Sequence, residues 1–415
     1  MTNLFSTMLY IDPGTGSMLF SLFIGLITTG VFGLRALIIK IHSVVGRGKK
    51  EELDHSHLNV VIYSDHKRYW NVFEPVVKEF ENRGICVNYF TQSPDDPALC
   101  QKFCRVKASF IGEGNKGFLK MNMLNAELCI ATTPGLDVLQ WKRSRNCKYY
   151  IHVPHMLTDL TSYRMFALDH YDAVLTTGEY QIEDIRKIEE IRGTAKKEMI
   201  PVGFPLMDEL SKKVSADAPK ALDDVKTVLL APSWGKNGIL SKFGEKILSS
   251  LKETGFNVIV RPHPQSLTAE KEMIDDLMKK FPNSENFSWN FDNSNFDCLK
   301  ASDILISDFS GVIYEYAFLF NRPVIYADVQ FDSGVYDAAW IDHPMWCLST
   351  LEKIGVKLEE SQFSDMKNFI NNALESQDIK KALEEAKSQA WCNRGNSAKT
   401  IVDFVQNKLE MLKEN

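Results

Sequence analysis

Ile304-Leu305-Ile306 runs straight into Ser307-Asp308-Phe309-Ser310-Gly311, followed by a helical stretch from Val312 that carries Glu315 and by a turn at Pro323. A second passage of the same kind lies upstream, where Asn257–Val260 feeds Arg261-Pro262-His263-Pro264. Each passage sets polar, titratable residues directly after a short apolar run. In an open α/β sheet that is where ligands bind, beyond the carboxyl ends of the strands. The two passages therefore point to a parallel sheet and to the edge of it that carries chemistry.

Working outward, short apolar runs alternate with helical patterns on both sides. Leu58–Tyr63, Cys86–Phe90, Ala126–Thr132, Lys148–Val153, Ala173–Thr177 and Met199–Gly203 read as strands, with helices over Trp70–Asn82 and Gln181–Arg192. After a polar, strand-free stretch at 211–226, the pattern restarts with strands at Thr227–Ala231, Asn257–Val260, Ile304–Ile306 and Val324–Ala327 and helices at Lys242–Thr254 and Val312–Phe320. Such alternation implies parallel sheets with crossover helices. The expectation is an α/β protein of two Rossmann-like domains facing across a cleft, the GT-B arrangement. The expected divisions are an anchor and basic flank at 1–50, an acceptor domain at 58–210, a donor domain at 227–345 and a helical segment at 346–415.

A chain of 415 residues is long enough for two such cores. Its 25% charged and 44% hydrophobic residues fit a folded globular protein. A net charge of −6 argues against a nucleic-acid partner. The eight cysteines contain no C-x-x-C pair, so reduced thiols are the simpler reading. The N-terminus differs in kind: Met18 to Leu34 holds no charged residue, and Arg35, Lys40, Arg47, Lys49 and Lys50 follow it. A membrane-spanning helix needs roughly 20 apolar residues. A single-pass transmembrane helix is therefore expected, and the basic flank places residues 51–415 on the cytoplasmic side of the membrane. An amphipathic helix lying on the membrane is the alternative.

The chemistry-bearing residues follow from the strand ends. Two prolines fix the backbone around His263; there it can bind a phosphate oxygen as imidazolium, act as a base, or serve as a structural histidine in a rigid turn. Ser310 and Gly311 stand where a helix begins, so a phosphate can meet its N–H groups, and Ser310 can equally be the helix N-cap. Glu315, one turn in and among apolar neighbours, is a candidate ribose contact. Arg261, Ser307, Asp308 and Trp234 complete the candidate donor wall. Asp65, His66 and Tyr69 follow the first strand and are candidates for the acceptor side. None of the Asp-Asp pairs resembles an Asp-x-Asp metal site, so no protein-held metal and no bound cofactor is expected; a role for Mg²⁺ stays open.

RPHP, the SDFSG…E…RPVIYAD block and an upstream strand ending in histidine resemble the CDP-glycerol glycerophosphotransferase family, as does HMLTDLTSYRMFALDHYDAVLTTGEYQIEDIR at 155–186. The resemblance spans roughly 58–345. It implies a membrane enzyme of teichoic acid or capsule synthesis that moves a polyol phosphate from a CDP-linked donor, CDP-glycerol in the simplest case, to a lipid-linked or polymer acceptor. By the resemblance, His155 is the catalytic base, His263 lies beside the donor diphosphate, Ser310 and Gly311 hold phosphate, and Glu315 meets the nucleotide ribose. Met156 stands where the family commonly has Gly or Ser, so His152 stays the alternative base. A GT-B glycosyltransferase and a non-catalytic membrane scaffold are the competing readings, and a homo-oligomer stays open.

Overall fold

The computed structural model describes residues 57–216, 225–292, 294–327, 329, 331–376 and 379–414. The apolar run at Met18–Leu34 lies outside them. Among the described residues no helix is long and apolar enough to cross a membrane.

Two parallel sheets carry the fold. The first is built from β1 (Leu58–Ser64), β2 (Val87–Thr91), β3 (Val106–Phe110), β4 (Ala126–Ala131), β5 (Cys147–His152), β6 (Ala173–Thr176) and β7 (Glu198–Pro201), in the order β3-β2-β1-β4-β5-β6-β7. The second holds β8 (Thr227–Leu230), β9 (Asn257–Val260), β10 (Phe287–Trp289), β11 (Ile304–Ser307), β12 (Val324–Ala327) and β13 (Gly355–Leu358), in the order β10-β9-β8-β11-β12-β13. Both are doubly wound. The central strands are the continuous apolar runs: every residue of β4, β8 and β11 is buried, as befits strands covered by helices on both faces. β3 and β13 sit at edges and carry Lys107 and Lys357. The sequence pattern missed β3, β10 and β13 because they are short and partly polar, so they lack the unbroken hydrophobic signal of the centre.

The strand order reverses between β1 and β4 in the first sheet and between β8 and β11 in the second. Chain ends diverge at such a switch point and leave a crevice. The loops bordering these crevices are 65–69, 132–136, 231–238 and 308–311, with the loops after β5 and β9 beside them.

The halves are joined by more than one covalent link. The Asp159 carboxylate, on the loop after β5, accepts from the Trp346 and Cys347 N–H groups at 2.7 and 2.8 Å and so caps the helix Trp346–Ile354. Arg192 bonds Asp169 at 2.9 Å and also pairs with Asp337. The chain then returns to the first half. Asp208 accepts from Trp391 Nε1 and from the N–H groups of Gly395 and Ser397, fixing the start of the last helix, Ser397–Glu414. Arg83 bonds Asp403 of that helix at 2.6 Å.

Candidate active site

Asp308 organises one wall. It follows β11, is 2% exposed, and accepts from the N–H groups of Ser233 (2.9 Å), Ile239 (3.1 Å) and Phe309 (2.8 Å). One carboxylate thus ties the loop after β8 to the loop after β11. Burial raises its pKa, and these donors oppose the rise. Ser307 is buried and donates to the Ala231 carbonyl at 2.6 Å, a second tie between the same strands. Neither side chain faces the cavity; both shape it.

What they shape is a cavity of about 390 Å³ whose lining includes Ser233, Trp234, Lys236, Asn237, His263, Ser310 and Gly311 from the second half and Thr158 and Ser162 from the first. Two helices begin on it. Val312–Phe320 has Gly311 at its N-cap and Ile239–Glu253 has Gly238, and neither cap carries a side-chain hydrogen bond. The cap position expected for Ser310 falls instead on Gly311. Asp308 already occupies the N-terminus at Ile239; the one at Val312, with its glycine cap, favours an anion approaching the backbone. Gly235, at φ +93°, turns the loop so that Lys236 and Asn237 reach the cavity.

His263 lines the cavity, and its Nδ1 accepts from the Gln265 N–H at 3.1 Å. Burial and, after it, the charge of Arg68 lower its pKa, with Glu270 opposing. Both favour the neutral imidazole, one of the forms the sequence left open; a bound diphosphate, being anionic, shifts it back toward the cation. Arg261 is turned away: its guanidinium bonds the Asn290 side chain and the Asp292 carbonyl and braces the RPHP turn. Glu315 does not line the cavity. It accepts from Asn295 Nδ2 at 3.0 Å, and burial raises its pKa.

The opposite wall is aromatic. His155 lies three residues past β5, with Nδ1 2.9 Å from Thr132 Oγ1 and 3.3 Å from Tyr163 OH. Its ring centroid is 4.8 Å from that of Tyr69 and 5.6 Å from that of Tyr163. Burial pushes its pKa down to about 4, with Arg68 acting in the same direction. A neutral imidazole whose Nδ1 is engaged leaves Nε2 to accept a proton. His152 is different. It is 0% exposed, sits between the Tyr163 and Tyr171 rings, and neither ring nitrogen has a hydrogen-bond partner. It is a packing residue of the sheet, whereas His155 lies past the strand's end with hydroxyl partners at Nδ1. Asp65 accepts from Thr133 Oγ1 at 2.9 Å, and His66 Nδ1 accepts from the Arg68 N–H, so both brace their loop while Tyr69 contacts the histidine directly.

The loops after β5, β8, β9 and β11 thus converge on one cavity lined by His263, and the charge of Arg68, after β1, bears on both His155 and His263. Over residues 155–342 the sequence matches the model of the CDP-Glycerol:Poly(glycerophosphate) glycerophosphotransferase family. The match covers the passages that hold RPHP and SDFSG. The resemblance read from the motifs stands, and the chain is an enzyme of the CDP-glycerol glycerophosphotransferase class. Among solved structures, the wall teichoic acid polymerase TagF is similar at 15% identity and a TM-score of 0.57, covering 93% of this chain and 99% of that one. A putative UDP-N-acetylglucosamine 2-epimerase from Listeria monocytogenes aligns at 12% identity with a TM-score of 0.57, over 86% of this chain and 98% of its own. The Methanocaldococcus jannaschii UDP-GlcNAc 2-epimerase, in complex with UDP-GlcNAc and UDP, aligns at 13% identity and 0.54, over 85% and 100%. At such identities these likenesses establish the fold, two parallel α/β sheets as in GT-B proteins, and the family's own motifs carry the chemistry. No curated protein sequence matches the chain.

Trp234, His263, Ser310 and Gly311 are thus brought together on the cavity, while His155 and Tyr69 pack on each other outside its lining. Lys236 and Asn237 escaped the sequence reading although they sit in the glycine-flanked stretch PSWGKNG that opens a helix. Thr132 and Tyr163 carried no local signal, since only the fold sets them against His155. Among the described residues no cluster of three or more His, Cys, Asp or Glu side chains is placed to hold a metal ion.

Proposed function

We propose that the protein transfers a polyol phosphate, in the simplest case glycerol phosphate from CDP-glycerol, to a hydroxyl of a lipid-linked or polymer acceptor in teichoic-acid-like or capsule synthesis. The observation that carries this reading is a cavity that the open N-terminus of Val312–Phe320 and His263 border, with His155 held neutral on the loop after β5. The donor diphosphate lies against Ser310, Gly311, Lys236 and Asn237, with Trp234 beside the nucleoside. His155 takes the acceptor hydroxyl's proton at Nε2. The oxygen attacks the phosphorus bonded to the polyol, a new P–O bond forms, and the bond to the CMP oxygen breaks. His263 and the helix N-terminus at Val312 stabilise the charge that develops, which is how phosphoryl transfer is accelerated by positioning and electrostatics.

The apolar run Met18–Leu34 and its basic flank support a single-pass anchor with the catalytic sheets on the cytoplasmic side of a bacterial plasma membrane, and with it an acceptor held in that membrane. The test is incubation of membranes carrying the protein with CDP-glycerol or CDP-ribitol and mass analysis of the lipid products. A mass gain of one polyol-phosphate unit with CMP release is expected. Turnover of a UDP-sugar with no CMP from either donor contradicts the reading and favours glycosyl transfer on the same fold.

A further inference from the structure

Arg68 lies between two residues singled out above, His66 and Tyr69, and the sequence pattern gave it no role. Its guanidinium stands over the Tyr69 ring, 4.9 Å from the centroid, and the other neighbour of that ring is His155, centroid to centroid 4.8 Å. The side chain is exposed, and among the described residues no carboxylate forms an ion pair with it. Asp65 on the same loop feels its charge but is not paired with it; a stacked guanidinium with no ion-paired carboxylate at a strand's C-terminal end is a fork shaped for phosphate oxygens, at little desolvation cost in the free protein.

We propose that Arg68, stacked on the ring that packs against His155, engages the non-bridging oxygens of the phosphoryl group as it passes from the CMP side to the acceptor. The proposal rests on the transfer reading above and adds a residue to it. The charge of Arg68 bears on histidines of both walls, opposing protonation of His155 and of His263. The groups that face His155 are Tyr69 and Arg68 from the loop after β1, Thr132 after β4, Tyr163, and His152 at the end of β5. Asp65, on the Arg68 loop, is bonded to Thr133. In that set Arg68 supplies the permanent positive charge. In the transfer the acceptor O–P bond forms, the P–O bond to CMP breaks and the proton passes to His155. Arg68 exchanges no proton and offsets the negative charge on the phosphoryl oxygens.

The full chain is compared with Arg68→Gln and Arg68→Lys. NMR titration of the histidine rings without donor, with the His155 signal identified by its loss in His155→Gln, is expected to show a higher midpoint in Arg68→Gln and a nearly unchanged one in Arg68→Lys. An unmoved midpoint in Arg68→Gln overturns the electrostatic role. CMP release from CDP-glycerol is expected to fall in kcat by about 100-fold in Arg68→Gln, the scale of losing one transition-state donor. Its acidic limb is expected to move to higher pH, with partial recovery in Arg68→Lys; an unchanged kcat overturns the phosphoryl contact. A wild-type chain that releases no CMP defeats the transfer reading, while the ring titration still decides the effect of Arg68 on His155.

Discussion

The two walls of the cleft are built on opposite principles. The wall from the second sheet is held by backbone: Asp308 gathers three N–H groups from two loops, prolines flank His263, and glycines cap both helices that open on the cavity. The wall from the first sheet is held by rings: His155, Tyr69 and Tyr163 pack on one another, with His152 and Tyr171 beneath. A backbone wall suits a ligand whose recognised part is an invariant anion. A wall of side chains keeps a base neutral and presents it to a changing acceptor.

That contrast is best broken by mutation. His155→Ala and His263→Ala are each expected to lower the rate of CMP release by about 1,000-fold, within the range for losing a general base or charge-stabilising group. Circular dichroism should leave the fold unchanged. Near-normal turnover in either variant removes its residue from the chemistry. Asp308→Ala is expected to act on structure first. It strands buried N–H groups, so stability by denaturant titration should fall by about 3 kcal/mol, and donor binding should be lost with the loop. If Asp308→Ala is as stable as the parent, the backbone wall is not held as described.

Trp234→Ala tests a smaller contribution. Its ring is 47% exposed at the cavity. Losing a stacked base is worth about 1.4 kcal/mol, so a rise of about 10-fold in the KM for donor with little change in kcat is expected. Gly311→Ala is milder still: a Cβ there would meet Thr158 Cγ2 at 3.7 Å, an ordinary contact, so activity should stay within a few-fold of the parent. Acid stability separates the walls by another route. His155 binds its proton at lower pH in the folded than in the unfolded chain. It therefore contributes nothing above about pH 6.5 and destabilises as pH falls toward about 4. His155→Gln should lessen the loss of stability in that window, read from urea midpoints across pH.

The same contrast explains what could be read from the sequence. The backbone wall was legible because its parts are contiguous: RPHP and SDFSG each follow a buried strand within a few residues, and the strands around them are unbroken apolar runs. Trp70–Asn82 was equally clear, since its helix is amphipathic, with Val72, Phe73, Val76, Val77 and Phe80 on the buried face. The ring wall was legible only in part. Thr132, His155 and Tyr163 come from separate loops, and only the strand order brings them together. His152 and His155 are alike in sequence, and what separates them is that one points into the sheet's packing while the other lies past the strand's end. The long-range ties of Asp159 to the 346–354 helix and Asp208 to the last helix had no local signature at all.

The most direct test of the account is ³¹P NMR of CDP-glycerol turnover by membranes carrying the protein, with acceptor present and with the His155→Ala and His263→Ala chains as controls. The account expects the diphosphate signals to fall as one CMP and one new phosphodiester appear together, at equal rates, and expects both controls to be silent. CMP formed without a matching phosphodiester, or a phosphodiester formed equally fast by the controls, would contradict it.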